Sequence, residues 1–105
     1  MEQAVREYRV WLETGDPIGC ASVYKRRAWY TVEVDPFLYA EKRRTWGFRS
    51  EQAAYDFAQE SAERYQAEAI AWERAEQASK GYAWEEEWEN SYSIQVCDSE
   101  GNIHE

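Results

Sequence analysis

Between Val5 and Glu13 apolar and polar residues alternate, with Tyr8, Val10 and Leu12 on one side and Arg9, Trp11 and Glu13 on the other. A period of two in β-forming residues predicts a strand with one buried face. Thr14-Gly15-Asp16-Pro17 is turn chemistry, glycine tolerating positive φ and proline setting the next bend. Ile18–Tyr24 predicts a second strand, Lys25-Arg26-Arg27 a polar turn, and Trp29–Val34 the most regular strand of the chain. Asp35-Pro36 should end it, because proline has no N–H to give a ladder. Residues 37–48 are less periodic and predict a loop followed by a short fourth strand around Arg43–Phe48.

At Ser50 the period changes. Ser50 is a good N-cap, Glu51 places a negative charge in the first turn, and residues up to Ser79 are mostly helix formers. Ala54, Phe57, Ala58, Ala62, Tyr65, Ala69 and Trp72 recur at spacings of three and four, which predicts one buried stripe. Its small members should let the helix lie close to a sheet, and Gly81 is the natural stop. A helix of this length spans roughly 45 Å, against about 30–35 Å for a domain of this size. It must bend, overhang or lean on a partner, and the fading of the stripe after Trp72 favours an exposed distal end. Tyr82–Asn90 predicts a short second helix that aligns Trp84 with Trp88. Ser91–Cys97 alternates again, with Tyr92, Ile94 and Val96 inward; Asp98–Asn102 is a turn, and the last residues should fray. The expectation is α+β: residues 1–105 as one domain, an antiparallel sheet of four or five strands packed on one long helix, and a short second helix before the last strand.

Composition adds a charge asymmetry. Residues 50–105 carry fourteen acidic and three basic side chains and residues 1–49 seven and nine, so the net charge of −9 belongs to the C-terminal half. A face of that sign repels nucleic acid and attracts basic protein surfaces. Six Trp and eight Tyr give the core bulk despite a mean hydropathy of −0.90, which argues against intrinsic disorder. No apolar run approaches the roughly 20 residues of a membrane span, and Met1-Glu2-Gln3 does not begin like a signal peptide. Cytoplasmic localisation follows as the expectation. Cys20 and Cys97 read as reduced thiols in strands, with a disulfide between neighbouring strands as the alternative.

Three constellations are candidates for function. Asp56, Glu60 and Glu63 line up opposite the apolar stripe, successive charges rising about 5 Å along the axis. That pitch loosely follows the roughly 3.4 Å between phosphates on a DNA strand, and the plain alternative is a solvated helix face. Only Arg64, Arg74 and Lys80 offset the eleven acids between Glu51 and Glu89. In Trp84-Glu85-Glu86-Glu87-Trp88-Glu89, tryptophan is a preferred binding anchor and the carboxylates can pair with Arg or Lys; alternatively both indoles close the core. Lys25-Arg26-Arg27 and Lys42-Arg43-Arg44, the latter followed by Trp46, Phe48 and Arg49, interleave basic and aromatic residues as a nucleic-acid-binding sheet would. A polar hairpin turn also explains the first of these. Catalysis has little to build on: His104 is the only histidine, and no phosphate loop, zinc spacing or calcium loop is present. No metal, cofactor or enzymatic activity is expected.

The run Trp46-Gly47-Phe48-Arg49-Ser50-Glu51-Gln52-Ala53-Ala54-Tyr55, with the acid-rich stretch to Glu89, resembles the loose group of small acidic phage-encoded proteins that includes anti-CRISPR and anti-restriction inhibitors. The similarity covers about half of the chain. It implies a small α/β protein that binds a nuclease or its recognition complex in the host cytoplasm and blocks nucleic acid by negative charge. The basic first half departs from a pure DNA mimic and leaves one acidic face as the candidate. The expected function is therefore a non-enzymatic inhibitor of a basic nucleic-acid-handling complex, binding neither nucleic acid nor membrane directly. Its contact residues would be Asp56, Glu60, Glu63, Trp84, Glu85, Glu86, Glu87, Trp88 and Glu89. The alternatives are a nucleic-acid-binding or regulatory module using the basic N-terminal half, and a self-associating structural protein whose charge halves pair in a homodimer.

Overall fold

A computed structural model describes residues 3–12, 17–36, 44–100 and 103–104. Strands β1 (Arg6–Leu12), β2 (Pro17–Arg26), β3 (Trp29–Pro36) and β4 (Arg44–Phe48) form an antiparallel meander. Helix α1 (Glu51–Ser79) follows, then a 3-10 helix (Glu86–Ser91), β5 (Tyr92–Asp98) and β6 (Ile103–His104). The spatial order is β4-β3-β2-β1-β5-β6. Because β5 is antiparallel to β1, it runs in the same direction as β4. Parallel strands need a crossover, and α1 makes it over one face of the sheet, touching β1 to β5.

The expected class holds: an antiparallel sheet, one long helix over one face, and a short helical turn before β5. The differences are local. Residues expected to fray add the two-residue strand β6, with Ile103 opposite Cys97 and His104 opposite Val96. Strand β3 runs on through Asp35 and Pro36, opposite Cys20 and Gly19. The expected polar turn at Lys25-Arg26-Arg27 is shorter: Lys25 and Arg26 are still in β2, opposite Tyr30 and Trp29, and the chain turns at Arg27 and Ala28, with Arg27 at φ 45. The expected turn at Thr14–Asp16 and the loop over 37–43 lie outside the described residues. Tyr82–Glu85 is not helical, and the expected second helix is a 3-10 helix beginning at Glu86.

The register places residues on two faces. Tyr8 lies opposite Ala21 and Val96, and Val10 opposite Gly19 and Ile94; Val23 faces Val32, which faces Trp46. These share the helix side and form one core with Ala54, Ala58, Ala62 and Ala69. Every fully buried helix position is an alanine, so the sheet supplies the bulk. Burying a valine such as Val23 or Val32, both 0% exposed, contributes about 2 kcal/mol. Trp46 and Phe48 close the β4 end against Phe57, with ring centroids 4.9 and 5.1 Å away.

Helix α1 starts where expected, with the Ser50 hydroxyl accepting from the Ala53 N–H at 3.2 Å. Its stop is a Schellman turn: Gly81 N–H donates to Ala78, Tyr82 N–H to Gln77, and Gly81 has φ 83. Twenty-nine residues make about 43 Å of helix, and the longest axis of the molecule is 52 Å against 26 and 23 Å. The last helical residue buried in the core is Ala69. This corrects the expected stripe at its far end: Trp72 is 52% exposed, because the helix has run past the sheet that would have covered it.

The cysteines lie on the sheet face away from α1. Cys20 is opposite Arg9 and Cys97 opposite Glu7, so β1 runs between them. Two strand spacings are about 10 Å, beyond the roughly 7 Å a disulfide can bridge, and neither is in a disulfide.

Candidate functional site

Asp56, Glu60 and Glu63 lie on the exposed side of α1, opposite Ala54, Ala58 and Ala62. The geometry follows from 100° per residue: spacings of four and three return each carboxylate to one stripe. Gln52 donates to Asp56 at 2.8 Å and Gln59 to Glu63 at 3.1 Å. These neutral donors orient the carboxylates without cancelling their charge, and none of the three has an ion pair among the described residues. Beyond Glu63 the same side of the helix carries no further acid, passing Ala67 and Ala71 to Arg74.

The second acidic cluster is built differently. After the Schellman turn the chain runs back toward the sheet, and the 3-10 helix places Glu85, Glu86 and Glu87 on the surface without ion pairs among the described residues. Trp84 and Trp88 meet edge to face, centroids 5.2 Å apart at 89°. Trp84 is half-buried, and Trp88 remains 36% exposed. Neither indole belongs to the buried core, Trp84 being the more covered of the two. Arg74 reaches over from α1, bridging Glu89 at 2.5 Å and stacking 5.3 Å from the Trp84 centroid. Glu89 is therefore neutralised within the molecule, unlike its three neighbours. About 16 Å of helix separates Glu63 from Arg74, so the two acidic clusters are distinct patches.

Sequence periodicity did not find the groove beside the tryptophans. The overhanging end of α1 contributes Glu73 and Gln77, the sheet end Leu12 and Tyr92, and the returning segment Trp84 and Trp88, around about 430 Å³. Gln66 fixes the geometry by donating to the Tyr92 carbonyl at 3.1 Å. Glu73 accepts from Gln77 at 2.9 Å. The Trp84 Nε1–H is shielded from water with no acceptor among the described residues, an arrangement that costs about 1–3 kcal/mol. The sequence carries one partial signal, the fading of the apolar stripe after Trp72 into Glu73, Arg74, Glu76 and Gln77.

The basic clusters have other fates. Trp46 and Phe48 face α1, half-buried, and pack on Phe57. On the opposite face Arg26 lies 4.9 Å from the Tyr24 ring and 3.8 Å from Glu33, and Arg49 stacks 4.9 Å from Trp29, itself 45% exposed. Arg9 is held by Glu7 at 2.6 Å, and that hydrogen bond raises its pKa. Lys42 and Arg43 lie outside the described residues.

Among the described residues no group of three His, Cys, Asp or Glu side chains is placed to hold a metal ion, and no helix is long and apolar enough to cross a membrane. Comparison with known proteins finds no match: no family model, no curated protein and no solved structure.

Proposed function

We propose that this protein is a non-enzymatic inhibitor that binds a basic nucleic-acid-handling protein through its acidic surface and thereby blocks access of nucleic acid. The observation that carries this reading is two patches of exposed carboxylates, Asp56, Glu60 and Glu63 on α1 and Glu85, Glu86 and Glu87 at the start of the 3-10 helix, without ion pairs among the described residues. Magnitude assigns the parts. An exposed ion pair contributes about 0.2–1 kcal/mol, so the six carboxylates supply at most about 6 kcal/mol, short of the roughly 8 kcal/mol of a micromolar complex. The charges set approach and register, and the aromatic anchors Trp84 and Trp88 supply the affinity.

The test is a capture from bacterial extract on the immobilised protein, compared with the Glu85→Lys, Glu86→Lys, Glu87→Lys triple variant. The expected catch contains a protein that binds DNA or RNA, is eluted by heparin, and is absent with the variant. A catch without nucleic-acid-binding members, or one indifferent to charge reversal, would remove the reading. A second reading has one specific observation in its favour: the Arg49–Trp29 and Arg26–Tyr24 stacks on the open face suit a nucleic-acid-binding module. A gel shift with single- and double-stranded DNA and RNA is blank for the inhibitor and positive for that module.

A further inference from the structure

We infer that the groove under the overhanging end of α1 is a docking site for an extended basic peptide segment, which inserts one large apolar side chain between Trp88 and Tyr92 while its arginines or lysines meet Glu85, Glu86 and Glu87. The inference rests on the binding reading above and names the part of the partner that is recognised.

Three observations converge on this occupant. The groove holds about 430 Å³, within the range of ligand pockets, and its walls are largely apolar: Leu12, Trp84, Trp88 and Tyr92. Charge complementarity selects the sign of the guest. Residues 73–89 carry six acids against two bases, and both bases are engaged, Arg74 with Glu89 and Lys80 with Glu76. The remaining carboxylates include Glu73 in the groove wall, where Gln77 orients it. The fold also explains why the groove is open. Strand β5 pairs beside β1, so the chain must return from the overhanging helix end to the sheet, and the groove lies between that helix end, the returning segment and the sheet.

The shape and the charge act on different parts of the guest. An acidic or neutral apolar segment fits the walls but meets the glutamates unfavourably or not at all. A purely polar basic segment satisfies the glutamates and leaves the indole faces wet. A segment that carries both large apolar and basic residues satisfies both.

The test is fluorescence anisotropy with three labelled hexapeptides of alternating sequence: arginine–leucine, arginine–glycine and glutamate–leucine. The arginine–leucine peptide is expected to bind at least tenfold more tightly than arginine–glycine, and the glutamate–leucine peptide not at all. Trp88→Ala should weaken binding tenfold or more. Gln77→Arg, which fills the groove from the helix side with a like charge and keeps a good helix former, should do the same, so the result does not depend on Trp88→Ala folding. Equal binding of the two arginine peptides, or binding indifferent to both variants, would overturn the groove. So would sedimentation showing a dimer that Gln77→Arg disperses, which would make a second copy the occupant. The assay needs no nucleic-acid-handling partner. Its failure leaves the Asp56–Glu63 row standing, and peptide binding alongside an empty capture would keep the groove and remove the inhibitor.

Discussion

Gly19 shows how closely α1 approaches the sheet. A Cβ at that position would stand 2.7 Å from the Tyr65 ring, so the absence of a side chain lets the ring lie against β2. Gly19→Ala should cost about 1–3 kcal/mol in urea denaturation, and most of the loss should vanish in a Tyr65→Leu background. Additive losses would show that the clash is not the cause. Tyr55 carries a second prediction. Burial raises its phenol pKa above the ordinary 10.0, the Glu51 charge adds to this, and the Arg6 guanidinium 3.9 Å over its ring works against it. Tyr24 shifts the same way, by burial first and then the charge of Glu33. The folded chain thus holds these protons more tightly than the unfolded one. Their contribution is complete below pH 10 and is lost as pH rises through the folded pKa values. Tyr55→Phe should make stability fall less between about pH 9 and about pH 11; an unchanged slope would assign the loss elsewhere.

The long helix is well specified at its ends and poorly covered along its second half. Ser50→Ala removes an acceptor from the first turn and should lower stability by about 1 kcal/mol. Trp72→Ala, by contrast, removes a side chain that is 52% exposed and should cost under about 1 kcal/mol in the same assay. Val32→Ala, with 0% exposure, should cost about 2 kcal/mol. A larger loss at Trp72 than at Val32 would place the helix end over the core. Much of this element was legible beforehand: the cap, the alanine positions and the Gly81 stop are local features. The burial of Trp72 was misjudged because the 3.6-residue period continues whether or not a sheet lies beneath it. The tryptophan pair was legible as a pair, while the groove that both indoles line was not. That depends on Leu12 and Tyr92 from the sheet end, which no spacing within residues 82–90 encodes.

Taken as one body, the protein carries charge on the helix side and on the 3-10 helix, with a more balanced opposite face where Arg9 and Arg26 are answered by Glu7 and Glu33. Crowded carboxylates oppose compaction modestly and speed encounter with a basic partner. Changing Glu85, Glu86 and Glu87 to Lys adds two charges at each position, bringing −9 to −3. The variant should melt within a few degrees of the parent, since all three side chains are exposed and bear no ion pair among the described residues. Its association rate with the captured partner should lose most of its dependence on salt. A collapse of the melting temperature would make these glutamates structural.

Period, caps and turn residues follow from neighbours within a few positions, so the strands, the long helix and the uneven charge could be read from the order of amino acids. Strand neighbours are another matter. That β5 joins β1, that Cys20 and Cys97 flank one strand, and that Arg74 silences Glu89 all depend on residues far apart in the chain. Such contacts form only when the crossover sets the register and leaves the helix longer than the sheet it covers. The groove exists because of that mismatch in length.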